Sequence, residues 1–272
     1  MLLPRILLAP HLPTLLVDEH RGHRTEMLAA LALQAEWLAA QRPDVVVALS
    51  ARWDSEGPFR VDASKSHRTL TDYSGFGVEV RYDCTGHPGT ARALVDAGVK
   101  AGVHVAATRR GVDSGVSVPL HFLLPGHSAS VVPLSVARRP LAECRAWGAV
   151  VRRVLDARPE RVAFIAGGVL SHDRHSWQLR RDVPEAREFD ERALRAIQAG
   201  SWAQLMPRDE RLLERAQPEA GLRHLEVLRG VLGSDVPGTV RCYESGPGVG
   251  SALIEFELPV PESASVPGDD PS

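Results

Sequence analysis

The sequence predicts an α/β fold: a single three-layer α/β/α domain around a mostly parallel or mixed central sheet. Three observations predict it. Short valine-rich apolar runs alternate with longer stretches whose apolar residues recur at helical spacing, and that alternation covers both faces of one sheet with helices. Apolar residues make up 44% of the 272-residue chain and charged residues 24%, an ordinary globular balance with ample material for a core. No linker-like stretch appears before Leu258, so residues 1–258 are expected to form one domain. The remaining residues, 259–272, read "PVPESASVPGDDPS" and are expected to be a disordered tail.

Element by element, Arg5–Ala9 reads as a strand. Arg24–Gln41 reads as a helix, with Met27, Leu28, Leu31, Ala35 and Leu38 on one face. Pro43 ends it and Val45–Leu49 forms the next strand. Phe59–Asp62 and Val78–Tyr82 alternate in part and are expected as strands. Pro88 suits a first helical turn and Gly102 a helix end, so Pro88–Ala101 is helical. Val103–Ala107 is a short strand, Val131–Val136 a strand, Leu141–Asp156 a helix and Arg161–Ala166 a strand. Glu185–Leu232 is largely helical, broken near Gly200 and around Met206–Arg208. Val240–Tyr243 and Ala252–Phe256 are expected to pair across "SGPGVGS".

A net charge of −2 offers no global field for nucleic acid or an anionic membrane. The apolar runs fall well short of the roughly 20 residues that cross a bilayer. The opening "MLLPRILLAP" is too short and broken by Pro4 and Arg5 to read as a signal peptide. Three cysteines without a paired spacing, Cys84, Cys144 and Cys242, are expected as free thiols of a cytoplasmic protein.

Four clusters carry residues suited to chemistry. "LAPHLP" delivers His11 just past the first strand. "AGGVLSHDRH" delivers His172 after a glycine pair that permits a tight turn, and such a histidine suits general acid or base work near neutral pH. "GVDSGVSVPLHFLLPG" places Asp113 and Ser114 in a turn before an apolar run. A serine nucleophile at Ser114 with His172 as base is one reading, although the Gly-x-Ser-x-Gly order is absent. "QPEAGLRHLEVLRGVLG" sets Glu219 at a helix start, where a carboxylate also suits the dipole, with Glu226 seven residues on and on the same face. Arg174, His175, Arg180 and Arg181 form a basic stretch that would rim a pocket for acidic ligands.

The order and spacing of these clusters resemble the class III extradiol ring-cleaving dioxygenases, with the nearest likeness to Memo-like and AmmeMemoRadiSam members. "APHLP" followed by "RTEMLAALALQAEWLAAQRPDVVVALSARW" is similar to that family's opening. "VDSGVSVPLHFLLPG" is similar to its Asp-His-Gly…Val-Pro-Leu segment and "AGGVLSHDRH" to its Leu-Ser-His segment. The resemblance covers most of the chain. It implies an O2-dependent opening of a catechol-type ring at non-haem Fe(II), with His11 and Glu219 as metal ligands and His172 as acid/base histidine. It also implies a small aromatic ligand and a homo-oligomer; the alternative reading is a catalytically silent family member that binds an anionic small molecule or a protein partner.

Two positions depart from the family pattern. Arg52, in "SARW", stands where the resemblance implies the second iron histidine, and Ser114 stands where it implies another active-site histidine. An arginine has no lone pair and stays protonated, so it cannot ligate iron. A cation 4 Å from the metal, at an effective dielectric near 20, opposes it by about 4 kcal/mol per unit of metal charge. Arg52 is therefore expected either to pair with Glu219 or to bind a ligand carboxylate or phosphate. Asp54, if turned inward, would complete a His11/Asp54/Glu219 metal set.

Overall fold

The computed structural model describes residues 1–206 and 209–259. All but one of the expected tail residues, and part of the expected helix break at Met206–Arg208, lie outside the described residues. The strands are β1 (Arg5–Ala9), β2 (Val45–Ser55), β3 (Phe59–Asp62), β4 (Ser66–His67), β5 (Cys84–Thr85), β6 (Val105–Thr108), β7 (Ser130–Ala137), β8 (Val162–Gly167), β9 (Thr239–Gly246) and β10 (Val249–Glu257). The helices are α1 (Thr14–His20), α2 (Glu26–Gln41), α3 (Pro88–Lys100), α4 (Ser114–Leu123), α5 (Leu141–Asp156), α6 (Arg174–Gln178), α7 (Pro184–Gln198), α8 (Glu210–Ala216) and α9 (Arg223–Leu232).

Eight strands form one mixed sheet in the order β6-β3-β7-β2-β8-β1-β10-β9. The centre, β7-β2-β8-β1, is parallel, and β10 and β9 extend it antiparallel. Strand alternation divides the core. Ile6, Leu8, Val45, Val47 and Leu49 face the layer of α3, α5, α7 and α9. Leu7, Ala9, Val46 and Ala48 face the layer of α1, α2 and α4. Two-faced burial of the central strands is why they read as continuous apolar runs.

Local chemistry sets the helix ends. The Thr25 side chain accepts the Leu28 N–H and caps α2, which stops at Arg42 in the left-handed region before Pro43. Helices α5 and α9 cross at glycine. A Cβ added at Gly148 would lie 2.0 Å from the Val227 carbonyl oxygen, and one at Gly230 would lie 2.1 Å from that of Arg145. The three cysteines are free and buried. Among the described residues no helix is long and apolar enough to cross a membrane.

Two sequence expectations are corrected. Val78–Tyr82 is not a strand. Val80 and Tyr82 are buried in alternation, but their N–H groups donate to the Tyr73 hydroxyl (2.9 Å) and Thr69 Oγ1 (2.6 Å), so side chains take the place of a neighbouring strand. The segment from Ser114, expected as a turn and an apolar run, is α4. It is buried on nearly every side, which hides the one-faced pattern that marks a surface helix.

The Gly148–Gly230 crossing gives a discriminating test. In a free helix, Gly148→Ala would add about 1 kcal/mol of stability. Here the methyl group has no room, and the variant is expected to lose roughly 1–3 kcal/mol, read from the urea midpoint at unchanged m-value.

Candidate functional site

The carboxyl ends of the parallel strands converge on one cavity, as open α/β sheets arrange it. His11 follows β1. The Gly167–Gly168 turn follows β8 and leads to His172. The Gly168 N–H donates to the Ala9 carbonyl at 3.0 Å, which locks these two strand ends together. A Cβ on Gly167 would lie 1.7 Å from the Gly115 carbonyl oxygen, so α4 also begins against this turn.

Glu219 lies behind His11 and His172, 4% exposed. It opens a short 3-10 turn, Glu219–Leu222, in which Ala220, Gly221 and Leu222 all have positive φ. Strain of this kind at non-glycine residues marks a backbone held by its surroundings. Glu219 Oε1 receives His11 Nε2 at 2.7 Å and lies 3.2 Å from His172 Nδ1. Oε2 accepts the Val169 N–H at 2.7 Å, and the Glu219 N–H donates to the Leu170 carbonyl at 2.8 Å. Burial opposes its charge, but His11 and His172 together hold the carboxyl well below the usual range. Burial likewise opposes a charged His11. Glu219 outweighs burial and raises His11, while Arg52 pulls the other way.

An ionised carboxylate only accepts hydrogen bonds, so the ring nitrogens facing it carry hydrogens: Nε2 of His11 and Nδ1 of His172. In the neutral His172 ring Nε2 then keeps its lone pair. His172 lines the cavity, and Nε2 is the ring nitrogen that Glu219 leaves free.

Arg52 reaches the cavity because β2 bulges. The register with β7 jumps from Ser50↔Ser135 to Asp54↔Val136, which extrudes Ala51, Arg52 and Trp53. A bulge beside a site re-aims a side chain. Arg52 Nε donates to Asp72 Oδ2 at 3.3 Å. Asp72 also accepts the Ser114 N–H and hydroxyl, each at 3.0 Å.

The cavity measures about 880 Å3 and is lined by four arginines (Arg21, Arg52, Arg174 and Arg180) against two aspartates (Asp18 and Asp72). Its aromatic wall is Tyr73, Phe76 and Trp177, with Phe76 and Trp177 ring centres 5.5 Å apart.

Several sequence expectations change. Arg52 does not pair with Glu219, because the bulge turns it to Asp72 and the carboxylate is already filled by imidazoles. Asp54 rejoins the ladder and meets Arg138 at 2.8 Å, so it completes no metal set. Ser114 has its hydroxyl on Asp72, and no hydrogen bond joins it to His172, so the serine–histidine pair is not assembled. Asp113 is fully buried and bonded to Ser50 and Arg110. Of the basic stretch, Arg174 and Arg180 line the cavity and His175 and Arg181 do not. Glu226 points to Arg145 and Arg229, away from Glu219.

Sequence reasoning missed Asp72, the aromatic wall and His224. A signal existed for the wall in "TDYSGFG", a glycine-spaced aromatic loop. His224 is fully buried against Gly168, and burial pushes its pKa down to about 4, so its ring is neutral.

The class these features define is an α/β pocket protein built on a buried carboxylate and two histidines at the carboxyl edge of its sheet. The family of the catalytic LigB subunit of aromatic ring-opening dioxygenase matches residues 5–254, and the chain belongs to that family. Over 165 residues it is 26% identical to "Dioxygenase tasH" of Hapsidospora irregularis, covering 58% of this chain and 49% of the relative. Over 106 residues it is 28% identical to "4,5-DOPA dioxygenase extradiol" of Beta vulgaris, covering 37% of this chain and 39% of the relative. The chain thus spans half or less of the length of these curated relatives. The crystal structure of an uncharacterized Escherichia coli K12 protein shares the fold, with a TM-score of 0.59 at 20% identity over 82% of this chain and 91% of that one.

Dioxygenases of this family generally use non-haem Fe(II). Among the described residues no group of three or more His, Cys, Asp or Glu side chains is arranged to hold a metal ion. The nitrogens of His11 and His172 converge on one carboxylate oxygen rather than on a space between them. The neighbouring cation, Arg52, adds charge repulsion.

Glu219→Gln is expected to destabilise the fold by about 3 kcal/mol at pH 7, because it breaks a buried ion pair. The carboxylate's folded-state pKa is depressed, so its contribution is present above its ordinary value of 4.5 and is lost as pH falls. Urea unfolding should show the parent and variant converging in acid.

Proposed function

We propose that this LigB-family chain works without the ferrous centre of ring-opening dioxygenases. It binds a small anionic aromatic molecule, and His172 exchanges a proton with it. The observation that carries this reading is Arg52, a permanent cation turned into the cavity by the β2 bulge beside His11. The hydrogen bond to Asp72 uses Nε alone, which leaves both terminal nitrogens without a protein partner among the described residues. Such a fork suits a carboxylate or phosphate. The excess of arginine over aspartate around the cavity supports the ligand's negative charge, and Phe76 and Trp177 support its ring. Glu219 holds the His172 ring through Nδ1, as a carboxylate orients an imidazole base elsewhere, and leaves Nε2 to the ligand.

The curated relatives are named as dioxygenases, so ring opening is the competing outcome of the test. The test is metal analysis of protein purified without chelator, followed by anaerobic Fe(II) and then O2 with catechol, protocatechuate and gallate. The expected result is no stoichiometric iron and no yellow ring-opened product. Stoichiometric iron with ring opening would overturn the reading. By calorimetry, protocatechuate is expected to bind the parent and to bind Arg52→Gln about tenfold or more weakly, the worth of a charge-assisted hydrogen bond. A second prediction concerns the two departures from the family pattern. Arg52→His combined with Ser114→His is expected to gain an Fe(II) site that the parent lacks, measured by equilibrium dialysis under nitrogen.

A further inference from the structure

Asp190, on α7, is a buried carboxylate that the pocket chemistry above leaves unused. It is 1% exposed and all its hydrogen bonds run inward. Oδ1 accepts the Ser171 backbone N–H at 2.9 Å. Oδ2 accepts the Ser171 hydroxyl at 2.8 Å and the Tyr243 hydroxyl, from β9, at 2.9 Å. Room for it exists because residue 250, on β10, is glycine: a Cβ there would lie 1.8 Å from Oδ2. Burial lifts Asp190 to about 6 in spite of its three donors. A buried carboxyl of this kind costs stability near neutral pH.

What Asp190 grips is the segment that carries the pocket. Ser171 pairs with Pro218, and His172 pairs with Val249. On one side of Ser171, the Leu170 carbonyl accepts the Glu219 N–H. On the other, the His172 N–H donates to the Gln217 carbonyl at 3.0 Å. Successive side chains of an extended segment point to opposite faces, so Ser171 turns to α7 while His172 turns to the cavity.

We propose that Asp190 is a positioning residue: by clamping Ser171 through backbone and hydroxyl it sets the contact between His172 Nδ1 and Glu219, with Tyr243 as the outer half of the clamp. This rests on the reading of His172 and Glu219 as the pocket's working pair. The clamp never touches ligand. It acts through one residue, and a slip of about 1 Å in that residue is enough to break a 3.2 Å imidazole–carboxylate contact.

The test is proton NMR of the full chain carrying 15N-labelled histidine, which reports the carboxylate-bonded imidazole hydrogens. His172→Gln assigns the His172 signal. In Asp190→Ala the His172 Nδ1–H resonance is expected to vanish through fast exchange while that of His11 Nε2–H persists. Asp190→Asn, which keeps an acceptor for the Ser171 N–H, is expected to retain both. A purely structural role would lower the melting temperature and leave the His172 signal in place, and that result overturns the proposal. If Asp190→Ala does not fold, Tyr243→Phe decides: faster exchange at His172 alone supports the clamp, and unchanged exchange overturns it. Calorimetry with protocatechuate separates the two levels. Absence of binding in the parent, with the His172 signal still dependent on Asp190, refutes the ligand reading and keeps the clamp.

Discussion

The carboxylate of Glu219 is the interaction on which the site depends. A buried charge is tolerable only when its acceptors are filled, and here the His11 imidazole and a backbone N–H fill them, with His172 Nδ1 at 3.2 Å beside them. These donors come from the end of β1 and the segment after β8, and the carboxylate itself comes from the strained turn before α9. One buried side chain therefore fastens three distant stretches of chain behind the cavity wall. The left-handed run Ala220–Leu222 joins Glu219 directly to the buried helix α9.

The second constraint is the β2 bulge. A strand that kept its register past Ser50 would leave Arg52 in the ladder. Extrusion of three residues moves that guanidinium into the cavity and returns Asp54 to the sheet, where it meets Arg138. The bulge thus explains two fates at once: Arg52 becomes part of the pocket and Asp54 is removed from it. Asp72, which meets both Arg52 and Ser114, ties the aromatic loop to this arrangement. A guanidinium at this position gives hydrogen bonds and offers no lone pair, which is what the proposed anion binding draws on.

Much of this was legible in the residues. The valine runs became the central strands, and Leu141–Asp156 and Phe59–Asp62 were read at their observed bounds, because strands buried on both faces leave short continuous apolar runs and one-faced helices leave a clear period. The family pattern pointed to His11, His172 and Glu219 from segments far apart in the chain. Asp72, Tyr73 and Phe76 escaped, since a loop without period gives no hint of what it covers. Helix α4 escaped because burial on all sides leaves no polar face to count.

By itself the sequence determined most of the strands and helices and that an arginine stands in "SARW", for these depend on neighbours along the chain. The tertiary structure alone decided where that arginine points and which partner each carboxylate takes. A three-residue bulge and a left-handed turn rotate side chains by amounts that local spacing does not encode. The partner of a buried charge is whatever the folded chain brings within about 3 Å of it.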